Sequence, residues 1–339
     1  MEAPELRVEA TRGELVESVH PVAAAVVDAR GRLLAASRDP DYVTWWRSAA
    51  KPFQALPLVE DGAAERFGVS DEELALVCAS HSSEPRHLAL VERLMTKVGV
   101  GEDALACGVH TPLSPAVAEA VARGAAKMTP RWSNCSGKHT GMLALAKHHG
   151  WPIGGYNAAG HPVQRRILEA VARWTGAECR EIRLAVDGCT AVCFGLPLRR
   201  MAHAYAQLGT AEDPAARRIA GAMMAHPLVV AGQGRLCTDL MRAWPGRVIA
   251  KVGADGIYCA SLPGLGLGIA LKMEDGDMRA SGVALLELLR ELLARLGPAG
   301  TAAWPAASLE PHGRRRILNT RGAETGELRP AGGLRFFDA

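Results

Sequence analysis

Apolar residues recur along this chain with two different periods, and the two are segregated. Near the start, residues 22–37 hold two apolar runs on either side of Asp28-Ala29-Arg30-Gly31, the pattern of a hairpin. Ser70-Asp71-Glu72-Glu73 then supplies a serine with a glutamate three residues on, a capping signature that opens a helix into Leu76. Helical spacing follows over 84–98, 115–127, 138–149, 162–175 and 213–225. Beyond these, 247–253, 256–262 and 268–272 read as strands, and the Leu-rich stretch 281–296 as an amphipathic helix. The connections near 31 and 264 are hairpin-short, which favours antiparallel pairing. The pattern predicts an α/β (α+β) fold read as one domain over 1–339. A mostly antiparallel sheet would come from about 5–45 and 247–335, and a mainly helical part from about 46–246. Neither an internal repeat nor a low-complexity linker interrupts it.

Composition narrows the possibilities. The 339 residues are 48% hydrophobic and 22% charged, enough apolar surface for a sizeable core. A net charge of +3 with no basic stripe argues against nucleic acid as a partner. No uninterrupted apolar run reaches membrane-spanning length, so no membrane association is expected. The acidic start, Met1-Glu2-Ala3-Pro4-Glu5, lacks the apolar core of a secretory signal, and a cytoplasmic protein is expected. In that compartment the eight cysteines are expected as free thiols or metal ligands rather than disulfides.

Five short clusters carry chemistry. The first is Trp45-Trp46-Arg47-Ser48-Ala49-Ala50-Lys51-Pro52, the chain's one S-x-x-K. Residues i and i+3 share a helix face, so Lys51 would stand beside Ser48. An uncharged lysine so placed can take the serine proton and create a nucleophile. Next come Cys78-Ala79-Ser80-His81-Ser82-Ser83-Glu84-Pro85, crowded with hydroxyls, and Ser133-Asn134-Cys135-Ser136-Gly137-Lys138-His139-Thr140-Gly141-Met142, dense in polar groups between apolar stretches. The fourth is Val186-Asp187-Gly188-Cys189-Thr190, a turn after an apolar run. The last, Lys251-Val252-Gly253-Ala254-Asp255-Gly256, ends a strand on a lysine followed by glycine.

In this order the five clusters resemble the bacterial L-asparaginase family of the Rhizobium etli inducible, thermolabile type, over roughly residues 22–280. The resemblance implies a serine β-lactamase- and glutaminase-like fold and an amidohydrolase that converts L-asparagine to L-aspartate and ammonia. It implies two serine–lysine pairs, Ser48 with Lys51 and Ser80 with Lys251. Lys272, which also ends a strand, rivals Lys251. Either serine could attack; helix spacing favours Ser48. Asn134, Ser136, His139 and Asp187 become candidates for holding the substrate. The resemblance further implies Zn²⁺ on Cys135, Lys138 and Cys189, not strictly required for the chemical step, and a homodimer. A glutaminase or broader ω-amidase is the enzymatic alternative, because one methylene in a pocket is worth only about 1–3 kcal/mol. A non-catalytic, zinc-dependent amino-acid-binding protein is the alternative of another class.

Overall fold

The computed structural model describes residues 5–298 and 304–337. Met1–Pro4, all but the last residue of the acidic start noted above, lie outside the described residues. The chain divides into two compact units. One runs up to Ala49, takes in Leu196–Thr210 and resumes at Asp239; the other comprises Ala50–Gly195 and Ala211–Thr238.

The first unit is built on an antiparallel sheet. Among the described residues of the whole chain the strands are, in order, β1 (Arg7–Arg12), β2 (Leu15–Asp28), β3 (Leu33–Ser37), β4 (Val43–Trp45), β5 (Arg183–Val186), β6 (Val192–Pro197), β7 (Ile249–Val252), β8 (Ile257–Leu262), β9 (Leu267–Met273), β10 (Arg315–Leu318), β11 (Glu324–Ala331) and β12 (Arg335–Phe336). Its main sheet runs β10-β11-β1-β2-β9-β8-β7, with β3 also on β2 and β12 on β3. The expected hairpin is β2–β3, with Ala24 opposite Ser37 and Val27 opposite Leu33. Six consecutive residues of β2, Val22–Val27, are fully buried. A strand covered on both faces reads as a continuous apolar run rather than an alternation. The helices Leu198–Thr210 and Met278–Arg295 lie against this sheet. Strand pairing is therefore antiparallel from end to end, as the short connections require.

The second unit is helical apart from the β5–β6 hairpin. At its centre lies Ser136–His149, of which the eleven residues Ser136–Ala146 are all buried. Helices Lys51–Glu60, Asp71–Val77, Pro85–Val98 and Pro162–Thr175 surround it. Gly137 is required there: a Cβ on it would fall 2.4 Å from the carbonyl oxygen of Leu76. Among the described residues no helix is long and apolar enough to cross a membrane.

The capping box read from Ser70 and Glu73 is present. Ser70 Oγ accepts from the Glu73 N–H at 3.3 Å, and Glu73 Oε2 accepts from the Ser70 N–H at 2.8 Å. Glu73 is wholly buried and also meets Arg93 and Lys97, each at 2.7 Å. Burial opposes its charge, but Lys97, Ser70 and Arg93 prevail and hold its carboxyl below the usual glutamate range. A carboxylate shifted down contributes stability above the unfolded-state value, ~4.3, and loses it as pH falls through the lower native value. Glu73→Ala should therefore cost about 2 kcal/mol at pH 7. The cost should shrink in acid, read from urea unfolding at pH 7 and pH 3. Equal destabilisation at both would show that Glu73 contributes by packing rather than by charge.

Candidate active site

In the helical unit, the second and third sequence clusters meet around Lys51. This residue opens the helix Lys51–Glu60, with Pro52 in its first turn, where a missing N–H costs nothing. Ser48 is not on that helix. It lies in the preceding 3₁₀ turn, Arg47–Ala50, because the α-helical hydrogen bonding starts only at Lys51. The side chain of Lys51 is 1% exposed. Its Nζ lies 2.5 Å from the Ala79 carbonyl, 3.3 Å from that of Asn134 and 3.1 Å from Ser80 Oγ. The amine donates to all three, two carbonyls and one serine hydroxyl. An amine that has given up one proton could keep both carbonyls and turn its lone pair to that hydroxyl. The hydroxyl that Lys51 meets is thus that of Ser80, which is 3% exposed, while Ser48 is half-buried.

The segment that carries Ser80 is fixed from several sides. The Ser80 N–H donates to Val230 O at 3.0 Å, and the His81 N–H to Asn134 O at 3.3 Å. His81 Nδ1 accepts from the Ser83 N–H at 3.2 Å, so its proton sits on Nε2, which meets Ser136 Oγ at 2.9 Å. Ser136 in turn donates to Arg131 O at 3.0 Å. Burial, with His87 and Lys51 nearby, keeps His81 well below the usual histidine range, so it holds this chain as a neutral ring. Ser136 is completely enclosed, and its hydroxyl is engaged in both directions.

One helical turn further on, the sulfur-bearing residues converge. Lys138 Nζ donates to Cys189 Sγ at 2.9 Å, and the Cys135 thiol is hydrogen-bonded to the same sulfur. All three are buried. The bond from Cys135 and the Lys138 ammonium outweigh burial and bring Cys189 down to about 4, a thiolate at neutral pH. Cys135 is pushed up to about 12 by that bond and by burial. Burial opposes the charge on Lys138, but Cys189, Cys135 and Asp187 raise it above the usual lysine value. Asp187 is half-buried and accepts the Gly188 N–H at 2.8 Å. His139 Nδ1 meets Tyr156 Oη at 2.7 Å, while its buried Nε2 has no partner. Burial and Lys138 lower this ring to about 3, so it is neutral. Asn134 is half-buried and lends its carbonyl to Lys51.

A thiolate, a thiol and an ammonium meet here, from one helical turn and one loop; the two sulfurs are of the type Zn²⁺ takes, and Lys138 would join them only after losing its proton. Among the described residues no group of three or more His, Cys, Asp or Glu could hold a metal, so Lys138 is what completes this trio. None of the remaining cysteines is in a disulfide, and all are buried except Cys179.

In the sheet unit, Lys251 sits on β7, 1% exposed, with its Nζ donating to Val252 O at 2.7 Å. Just beyond it, a Cβ on Gly253 would lie 3.2 Å from Trp46 O and 3.4 Å from Ala49 N. The end of β7 therefore backs onto the turn that carries Ser48. Lys272, on β9, donates to the Asp255 carbonyl, and the Asp255 carboxylate pairs with Arg47. Burial lowers Lys272 against the pull of Asp255.

This order of clusters has a counterpart in known sequences. The sequence profile of L-asparaginase II matches residues 8–330. The chain belongs to the L-asparaginase II family. No curated protein matches it. Solved structures similar to this family member include a β-lactamase from Mycobacterium bovis, at 15% identity over 86% of this chain and 95% of that one, with a TM-score of 0.35. A β-lactamase from Sulfitobacter sp. EE-36 matches at 16% over 86% and 93%, with a TM-score of 0.37. A mutant of the simvastatin synthase LovD from Aspergillus terreus matches at 14% over 74% and 84%, with a TM-score of 0.33. Scores this low support no argument about this chain.

Sequence reasoning missed two features of this L-asparaginase II member. Arg235, from a stretch the sequence analysis passes over, places Nη1 2.5 Å from the Ser80 carbonyl. Its only signal was the glycine-flanked Gly232-Gln233-Gly234-Arg235. Tyr156, which holds both His139 and the Ala106 N–H, carried no signal at all.

Proposed function

We propose that the protein hydrolyses the side-chain amide of L-asparagine through a serine nucleophile with Lys51 as base. The observation that carries this reading is the Lys51 amine, enclosed by two carbonyls and one hydroxyl. Among the described residues no carboxylate lies within ion-pair distance of it. Attack of the serine oxygen on the amide carbon passes the hydroxyl proton to lysine. The C–N bond then breaks, and the proton leaves with ammonia. Water, activated by the same amine, releases L-aspartate from the serine ester. Ser48 is assigned as the attacking hydroxyl: it is half-buried and so open to an incoming substrate, and it precedes Lys51 by three residues. Ser80, enclosed and already bonded to Lys51, is assigned to hold the amine in place and relay its proton. Lys251 is assigned as the second lysine, and Asp187, still half-accessible, as the partner for the substrate ammonium. A cytoplasmic homodimer is proposed with this reading, on the family resemblance alone.

Purified protein should release ammonia from L-asparagine. Ser48→Ala should lower kcat by several orders of magnitude with the melting temperature unchanged; near-normal turnover would remove Ser48 from the role. Faster turnover of L-glutamine than of L-asparagine would make the protein a glutaminase. Tight L-aspartate binding with no ammonia release from either amide would make it a binding protein.

The two strand lysines separate cleanly. Lys251→Met should abolish activity while Lys272→Met retains most of it, measured as kcat under saturating substrate. The reverse pattern would transfer the role to β9.

We also propose that Cys135, Lys138 and Cys189 hold one Zn²⁺, since a buried thiolate, thiol and lysine already converge there; binding would displace the protons of Cys135 and Lys138. When bound, zinc supplies a fixed positive charge for a substrate oxygen. Metal analysis should find about one zinc per chain in the wild type, and none in Cys135→Ala or Cys189→Ala. Equal zinc in all three would place the metal elsewhere.

A further inference from the structure

Arg235 lies in the loop between the helices Pro227–Val230 and Leu236–Ala243. It is half-buried, with Nη1 donating to Ser80 O at 2.5 Å and Ala231 O at 3.4 Å. Among the described residues no carboxylate lies within ion-pair distance of it. Other partly buried arginines of the same unit are neutralised: Arg166 meets Glu60 and Asp61, and Arg218 meets Glu65 and Asp71. The nitrogens of Arg235 that make no bond are not among the enclosed, unpartnered atoms, so that edge of the guanidinium is open to a ligand.

The loop cannot drift from the serine. Val230 O accepts the Ser80 N–H at 3.0 Å, and Ala231 O accepts from Ser82 Oγ at 2.8 Å. Glu84 Oε1 accepts the Gln233 N–H at 2.9 Å, and His87 Nε2 meets Leu228 O at 3.1 Å. A fixed, charged fork with an open edge and no anion is poised for a carboxylate, which it can hold through two parallel hydrogen bonds.

We propose that Arg235 binds the α-carboxylate of the amino-acid substrate. This rests on the reading of the site as one for L-asparagine. In that substrate only Cβ and Cα separate the reacting amide carbon from the α-carboxylate, so its anchor must lie close to the serine–lysine pair. Arg235 touches the Ser80 backbone and meets that condition. It is a specificity residue: it rejects amides that lack the carboxylate, because the open guanidinium edge would then be left without its partner.

The test uses Arg235→Gln, which keeps a donor for the Ser80 carbonyl but removes the charge and the fork. Two substrates are compared, L-asparagine and 3-aminopropanamide, which is L-asparagine without the α-carboxylate. The variant should raise KM for L-asparagine about ten- to a hundredfold, the range for a lost charged hydrogen bond, with kcat within about threefold. Its kcat/KM on 3-aminopropanamide should stay within about threefold of wild type. Equal losses on both substrates would mean a structural role and overturn the proposal, as would an unchanged KM for L-asparagine. A wild type that releases no ammonia from L-asparagine defeats the proposed reaction, and Arg235 is then judged by calorimetry. Wild type should bind L-aspartate more tightly than β-alanine, which lacks the α-carboxylate, and the variant should not. No preference in the wild type, or a preference that survives in the variant, overturns it. Should Arg235→Gln fail to fold, Arg235→Lys keeps the charge without the fork and should show the same preference, reduced but present; full wild-type KM would overturn the fork argument.

Discussion

The candidate site in the helical unit is arranged around one buried amine. Among the described residues Lys51 has no carboxylate within ion-pair distance to offset its burial, and acceptors surround it instead. An unsatisfied buried amine would cost several kcal/mol. Two backbone carbonyls can meet it only if the segments that carry them, around Ala79 and Asn134, are brought together. That requires helix Asp71–Val77 to end near helix Ser136–His149 at backbone contact distance. Gly137 against Leu76 is the residue that permits the approach. The same constraint turns Ser80 toward the amine and ties His81 to Ser136, so the site's geometry and the helix packing have one cause.

The neighbouring buried ammonium is treated in the opposite way. Lys138 is one helical turn from Cys135, and it meets a thiolate instead of carbonyls. Coulomb attraction at this separation is strong where water is excluded, so a sulfur and an ammonium neutralise each other without a carboxylate. Two lysines in one unit therefore differ in kind. Lys138 is held charged by its sulfur partners. Lys51 faces only dipoles and a hydroxyl.

Much of this was legible in the sequence, for physical reasons. Local signals survive folding: Ser70 caps its helix, the apolar runs of β2 and β3 pair, and the periods of 84–98 and 162–175 become helices with nearly the expected ends. The five clusters were visible because polar and reactive residues are rare inside apolar stretches. What stayed hidden depends on contacts distant in sequence. Lys51 bonds to Ser80, twenty-nine residues away, whereas the i, i+3 rule points only to Ser48. Strands β10 and β11 are largely exposed or half-exposed, and β1, though mostly buried, carries Arg7, Glu9 and Arg12, so no apolar period marks them. Pro52 shifted the helix start and left Ser48 in a 3₁₀ turn.

Backbone strain marks the same places independently of any motif. Among the described residues, five other than glycine have left-handed backbone angles: Arg38, Arg47, Ser83, Thr190 and Asp255. Four of these fall inside the five clusters. Thr190 is the costliest, because a β-branched side chain at φ 72° crowds its own backbone. Such conformations cost about 1–3 kcal/mol each and persist only where the surroundings enforce them. Thr190 is enforced by the Ala106 carbonyl at 2.9 Å and by Asn157. The turn so produced delivers Cys189 to Lys138. Ser83 donates to Trp132 O at 2.7 Å from an equally strained backbone, next to the segment that delivers Ser80 to Lys51. Glycine or asparagine would relieve these turns. Threonine and serine there put the strain at the positions that aim the thiolate and the serine at their lysines.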